Sequence, residues 1–264
     1  PFHSDNIKYY DQKSNFLFFS AHGVNKEIDP YYEHTYKISL NGGVPKLLNK
    51  GDFNTMTYPS DNHKFFVNNF SRVNTTPKSN LINSDGSVIM NLETADLSAL
   101  FESGYKFPET FKAKADDGIT DLYGVIYKPF DFDENKKYPL LEYVYPGPQT
   151  ESVNKSFSVR MDRLDRMAQL GFIVITLGNR GGHPDRSKWY HNYGYGNLRD
   201  YGLADKKYVA QQLANRHDFI DINRVGIYGH SGGGFMSTAA ILVYPDFFKV
   251  AYSQAGNHDN SIYN

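Results

Sequence analysis

Hydrophobic and polar positions alternate in short bursts over the first hundred residues. NFLFFSA (Asn15–Ala21) is a dense apolar run. HTYKISL (His34–Leu40) alternates and breaks at Asn41-Gly42-Gly43. KFFVNNFS (Lys64–Ser71) follows Ser60-Asp61-Asn62, and SVIMNLE (Ser87–Glu93) follows Asp85-Gly86. Short runs between turn clusters, with no sustained helical period, predict strands and hairpins. A hairpin every ~20–25 residues fits a propeller, whose four-stranded blades take roughly 40–45 residues each. About two blades fit, too few to close a ring, so their sheet edges need cover. A small independent β-sandwich is the alternative.

After residue 105 the period changes. FPETFKAKADDGITDLYGVIYKPFDF (Phe107–Phe132) reads as two strands around Asp117-Gly118. LLEYVYPG (Leu140–Gly147) and GFIVITLGN (Gly171–Asn179) are buried strands. Arg224–Gly229 and Phe248–Gly256 are two more. Between them, helical spacing runs over Arg160–Leu170 through Met161, Leu164, Met167 and Ala168. It recurs over Leu198–His217, and again over Gly233–Val243. Strands alternating with helices, the strands apolar on both faces, predict an α/β segment with a mainly parallel sheet. The expected division is an all-β segment 1–105 and an α/β segment 106–264.

Composition narrows the partners. Among 264 residues, 29 acidic side chains balance 28 basic ones, for a net charge of -1. That balance gives no footprint for nucleic acid or for an anionic membrane surface. No run of 18 apolar residues is present to span a bilayer. Cysteine is absent, which excludes disulfides, a thiol nucleophile and thiolate metal sites. His183, His191 and His217 are too scattered to suggest a metal, so neither metal nor cofactor is expected. The 21 Tyr and 19 Phe suit strand faces. The chain opens on Pro1, without a signal-like segment, as a processed product or an internal piece would.

The chemistry concentrates at VGIYGHSGGGFMSTAA (Val225–Ala240). A buried strand ends in Gly229-His230-Ser231-Gly232-Gly233 and a helix starts at once, the pattern of a nucleophile elbow. Such a turn lifts the Ser231 hydroxyl above the sheet. Gly229 and Gly233 give the neighbouring chain room to approach. The helix N-terminus supplies partial positive charge, and the Gly232 N–H is the natural oxyanion donor. A glycine-rich structural turn is the plainer alternative.

A serine nucleophile needs a base. His230 points away from Ser231 by its place in the turn. Beyond Ser231 come Asp246, at the end of the helix, then His258 and Asp259 in the wrong order for an acid followed by a histidine. The expectation is that the acid and the base lie outside this chain. Tyr145, at the end of the Leu140–Gly147 strand, is placed to give a second hydrogen bond to an oxyanion. Gly178-Asn179-Arg180-Gly181-Gly182 reads as a packing turn with a cation rather than a phosphate cradle. Trp189, Tyr190, Tyr193 and Tyr195 either line a surface near the site or simply pack.

These motifs resemble the prolyl oligopeptidase superfamily, and within it the dipeptidyl peptidase IV group. The resemblance rests on YPGP at 145–148, GNRGG at 178–182, the Asn197–Ala204 stretch, and GHSGGGFMS at 229–237. It implies the end of a β-propeller followed by the first part of an α/β-hydrolase peptidase domain, C-terminally truncated. It implies Ser231 as nucleophile, with the Tyr145 hydroxyl and the Gly232 amide as oxyanion hole. The usual family elbow is G-W-S-Y-G-G; here His230 and Gly232 replace the bulky residues. The family's acid and histidine follow the elbow at a distance that exceeds this chain. Its glutamate clamp for the substrate's amino terminus precedes residue 1. The resemblance therefore implies a middle piece of a larger enzyme, inactive by itself.

The function so implied is a serine peptidase that cuts peptides near their N-terminus, commonly releasing dipeptides with Pro or Ala second. Another serine hydrolase on this scaffold (an acylaminoacyl peptidase, an oligopeptidase or an esterase) and a non-catalytic peptide-binding relative stay open. The partners expected are a peptide substrate, and either a second copy of the chain or its missing C-terminal part. Nucleic acid and membrane contact are not expected. The resemblance favours a periplasmic or secreted setting over a cytoplasmic one.

Overall fold

The computed structural model describes residues 3–147, 150–158, 163–196 and 201–259. Strands β1 (His3–Asp11), β2 (Phe16–His22), β3 (His34–Ser39) and β4 (Lys46–Leu47) form one antiparallel four-stranded sheet in chain order. Strands β5 (Asn54–Pro59), β6 (Phe65–Ser71), β7 (Lys78–Asn83) and β8 (Val88–Thr94) form a second sheet of the same kind. Each is a meander in which every strand pairs with its sequence neighbour, the layout of a propeller blade. Phe18, Leu48, Phe66 and Ile82 bury a shared core, with the Phe18 and Phe66 rings 5.4 Å apart. Asn49 crosslinks the second sheet by donating to Thr55, Thr57 and Asn68.

The four strands read from the sequence are β2, β3, β6 and β8. The partners β1, β4, β5 and β7 carry no comparable signal. HSDNIKYYD in β1 is polar and largely exposed, and β4 is two residues long. The short helix α1 (Ser98–Glu102), with no buried residue, follows β8.

The second assembly is a six-stranded mixed sheet. Its strands are β9 (Glu109–Lys114), β10 (Asp121–Tyr127), β11 (Tyr138–Tyr143), β12 (Ile173–Leu177), β13 (Ile220–His230) and β14 (Phe248–Gln254). Their order is β14-β13-β11-β12-β10-β9. β9 and β10 are an antiparallel hairpin, and β10 joins β12 antiparallel. The other pairs are parallel. Helices α4 (Leu203–Arg216) and α5 (Gly232–Val243) bury one face through Val209, Leu213, Met236 and Ala240. Helix α2 (Arg163–Ala168) buries Leu164 and Ala168. The helix read over Arg160–Leu170 is thus shorter among the described residues, because Gly171 turns the chain at φ 91°. Residues 160–162 of that reading lie outside the described residues. So do Pro148 and residues 197–200 of the two family motifs. Helix α3 (Lys188–His191), unread in the sequence, is one turn that buries Tyr190.

The chain divides into two compact units. One is Pro1–Phe101 with Lys155–Ser158 and Asp185–Ser187. The other is Glu102–Asn154, Val159–Pro184 and Lys188–Asn264. Among the described residues no helix is long and apolar enough to cross a membrane.

In the mixed sheet the chain leaves β11 for β12 on one side, then returns to place β13 on the other. Connections that run opposite ways from two neighbouring strands open a crevice beyond their carboxyl ends. Those ends carry Tyr145 and Ser231.

Candidate active site

The strand β13 runs to His230, and Gly232 already begins α5. One residue makes the reversal. Ser231 has φ 55° and ψ -118°, a conformation that a side chain disfavours. Two bonds hold it there. Ser231 N donates to Gln254 O at 2.8 Å, and Ser231 O accepts from Phe235 N at 3.0 Å. The first ties the turn to the end of β14; the second is the opening bond of the helix.

The glycines around Ser231 are a steric requirement. A Cβ on Gly229 would fall 2.2 Å from Val144 O, and one on Gly233 would fall 2.0 Å from it. A Cβ on Gly232 would meet Pro146 O at 2.8 Å. The backbone of Val144, Tyr145 and Pro146 therefore runs directly against the elbow. Val144 N extends the β11–β13 ladder by donating to Tyr228 O at 2.9 Å. On the far side, a Cβ on Gly234 would lie 2.5 Å from Gln254 O. The third consecutive glycine thus has its own packing reason.

Tyr145, half-buried, follows the end of β11 and is brought beside the elbow by this contact. Gly232 is the first residue of α5, so its N–H has no acceptor within the helix. The helix N-terminus adds partial positive charge at the same place. Among the described residues no histidine hydrogen-bonds the Ser231 hydroxyl. His230 is half-buried, with Nδ1 enclosed and without a hydrogen-bond partner among the described residues. His258 is exposed and lies against Phe235, ring centroids 6.4 Å apart. Asp246 is exposed beyond the far end of the 12-residue α5, roughly 18 Å of helix from Ser231.

The GNRGG turn wraps a carboxylate that the sequence did not single out. Glu151 is buried, accepts from the Tyr190 hydroxyl at 2.5 Å, and fills the space beside Gly178 and Gly182. Arg180 Nη2 reaches Asp205, which is fully buried on α4, at 2.6 Å; its Nη1 reaches Asp117 at 3.2 Å. Hydrogen bonds from Thr120 and Ile119 together with Arg180 hold the Asp117 carboxyl down at about 2, against the pull of burial. Arg180 is thereby committed to structure. Trp189 and Tyr195 are exposed and Tyr190 is buried, so the four aromatics do not form one surface.

A large cavity lies elsewhere in this unit. About 750 Å³ opens on the sheet face bearing Leu141, Tyr143, Tyr228, Val250 and Tyr252, and its lining is almost wholly apolar. A buried titratable pair was also missed. Glu142 on β11 and Lys206 on α4 are both enclosed in the sheet–helix core, and Lys206 donates to Leu177 O at 2.5 Å. Neither Glu142 carboxylate oxygen has a hydrogen-bond partner among the described residues, and a lone Glu inside an apolar strand and a Lys on a helix face carried no signal that both would be enclosed in one core.

A profile described as the prolyl oligopeptidase family matches residues 157–264. Human dipeptidyl peptidase 8 is 40% identical over 152 residues, which cover 57% of this chain and 17% of that protein. A protein of Arthroderma otae named as a dipeptidyl-aminopeptidase B is 30% identical over 241 residues, covering 86% of this chain and 24% of its own length. A crystal structure assigned as a dipeptidyl aminopeptidase IV of Bacteroides ovatus superposes with a TM-score of 0.78 at 26% identity. It covers 94% of this chain and 34% of that one. The chain thus spans between a sixth and a quarter of the length of these curated relatives. Two blade-like sheets followed by a mixed α/β sheet agree with these likenesses, and the chain belongs to the prolyl oligopeptidase superfamily, among its dipeptidyl peptidase-type members.

Proposed function

We propose that the protein of which these residues are part is a serine peptidase that removes dipeptides from the N-termini of peptides. The observation that carries this reading is the strained Ser231 at φ 55°, with glycines on either side and the Tyr145 backbone packed against them. A non-glycine residue in that conformation costs about 1–3 kcal/mol, and such strain persists where it serves a site. Ser231 Oγ attacks the scissile carbonyl carbon while its proton passes to a histidine base. The carbonyl oxygen becomes an oxyanion that accepts hydrogen bonds from Gly232 N–H and Tyr145 O–H. Collapse releases the amine with the proton from that histidine, and water then cleaves the acyl-enzyme by the same route. The base comes from outside the described residues. Dipeptide release rests on relatives named as dipeptidyl peptidases.

The test is turnover of chromogenic Gly-Pro and Ala-Ala substrates, with fluorophosphonate labelling, on the intact protein and on its Ser231→Ala variant. The intact protein is expected to turn over and to label at Ser231, and the variant to do neither. Hydrolysis of blocked peptides or simple esters, with none of free dipeptide substrates, would move the reading to another serine hydrolase. Absence of all turnover and labelling would overturn it. The 264-residue chain alone is expected to be inactive, since a serine hydroxyl without a base is a poor nucleophile at neutral pH.

A further inference from the structure

The first sheet gathers a set of nitrogen and oxygen donors unrelated to Ser231. The β1–β2 ladder pairs His3 with His22, and the β2–β3 ladder pairs Ala21 with His34. One step further along the second ladder places Glu33 beside His22. β1, β2 and the residue just before β3 thus bring His3, His22 and Glu33 to one level at the end of the sheet. The carboxylates of Asp5 and Glu33 and a ring nitrogen of His22 lie within 4.8 Å of one another. Asp185, grouped with the same unit, puts Oδ2 3.7 Å from His22 Nε2 and Oδ1 2.8 Å from His3 Nδ1. That 2.8 Å approach does not meet hydrogen-bond geometry, since His3 Nδ1 is enclosed without a hydrogen-bond partner.

His22 sets the chemistry. It is buried, and its Nδ1 lies 3.0 Å from Tyr31 O. A carbonyl only accepts, so Nδ1 donates to it and Nε2 is the ring nitrogen left to face a metal. A backbone carbonyl fixing one ring nitrogen is the usual outer support of a metal-bound histidine. The local charge agrees. Asp5, Glu33 and Asp185 bring three carboxylates to this place, and Lys8, 3.2 Å from Glu33, is paired with one of them.

We propose that His22, Asp5 and Glu33, with Asp185 adjoining, bind one divalent transition-metal ion of the Zn²⁺ kind. Imidazole nitrogen with carboxylate oxygen is a donor set for zinc, whereas calcium and magnesium take oxygen alone. Asp5 is exposed and Glu33 half-exposed, so both can swing the last distance while buried His22 stays fixed. Glu33 exchanges Lys8 for the metal. The ion clamps β1 to the segment between β2 and β3. No sequence pattern announces this site, because the ligands come from separate strands and lack a metal-ligand spacing.

The test uses the full chain, stripped with EDTA, equilibrated with ZnCl₂ and desalted. Metal content by mass spectrometry is expected near one zinc per chain. Zinc is also expected to raise the melting temperature, with calcium at the same concentration giving no rise. His22→Gln and Asp5→Asn, titrated against a zinc indicator, should each weaken binding by about tenfold or more. His63→Gln, where His63 stacks on Tyr9, should leave binding unchanged. Asp5→Asn keeps the test decisive if His22→Gln fails to fold, because Asp5 is exposed. No stoichiometric zinc, or equal affinity in the wild type and Asp5→Asn, would overturn the site. So would a loss of affinity in His63→Gln as large as in Asp5→Asn.

Discussion

The carbonyl oxygen of Val144 lies 2.0 Å from the point a Cβ on Gly233 would occupy. Neither side can yield easily, because Val144 extends the central strand pair and Gly233 belongs to the first turn of α5. Gly233→Ala is expected to cost about 1–3 kcal/mol in stability, as overpacking does. It should also push Tyr145 and Ser231 apart. Urea unfolding measures the first effect and the rate of fluorophosphonate labelling the second. A variant as stable and as readily labelled as the wild type would show that the two strands' ends are not rigidly coupled.

Tyr145→Phe removes one hydroxyl and almost no volume. If that hydroxyl stabilises the oxyanion, its loss should cost about 3 kcal/mol in the transition state, or about a hundredfold in kcat. KM should change little, since a ground-state carbonyl uses the donor less. Steady-state kinetics of the intact protein at saturating substrate decide this. An unchanged kcat would leave Tyr145 a packing residue.

What the sequence made legible follows from where its signals are local. Val225–Ala240 carries strand, turn and helix in one unbroken stretch, so the elbow could be read to within a residue. The steric role assigned to Gly229 and Gly233 matches the close approach of Val144. Polar edge strands such as β1 had no such signal, since an exposed strand need not alternate. Long-range polar pairs were illegible for a different reason. Glu151 meets the Gly178 and Gly182 turn, and Arg180 meets Asp205, only after the sheet has formed. Nothing in the spacing of those residues encodes their meeting.

Arg180 and Asp205 give a direct measure of such a pair. Asp205 is fully buried and also accepts from the backbone N–H groups of Asp116 and Arg180. Arg180→Met should destabilise the fold by about 3–5 kcal/mol, because the buried carboxylate loses its cation. The double variant Arg180→Met/Asp205→Asn should recover part of that loss. Denaturant unfolding of the single and double variants separates the outcomes. A small effect of Arg180→Met alone would mean that the backbone donors suffice for Asp205.

Glu142 and Lys206 make stability depend on pH in an unusual direction. Burial pushes the Glu142 carboxyl up from 4.5 to about 8, with Lys206 drawing it part of the way back. Burial likewise lowers the Lys206 ammonium. Between pH 4.5 and 8 the folded chain then holds a proton at Glu142 that the unfolded chain has released. Stability from this group is fully present below 4.5 and falls as pH rises toward 8, by up to about 1.4 kcal/mol per pH unit. Glu142→Gln keeps the shape and removes the titration. Its stability should therefore fall less steeply than that of the wild type over this window, whatever its absolute offset from removing the carboxylate near Lys206. Urea unfolding at pH 5, 6, 7 and 8 gives both slopes, the chosen points lying within the stated interval. Parallel curves would mean that Glu142 ionises in the fold as it does in the unfolded chain, with Lys206 compensating its burial in full.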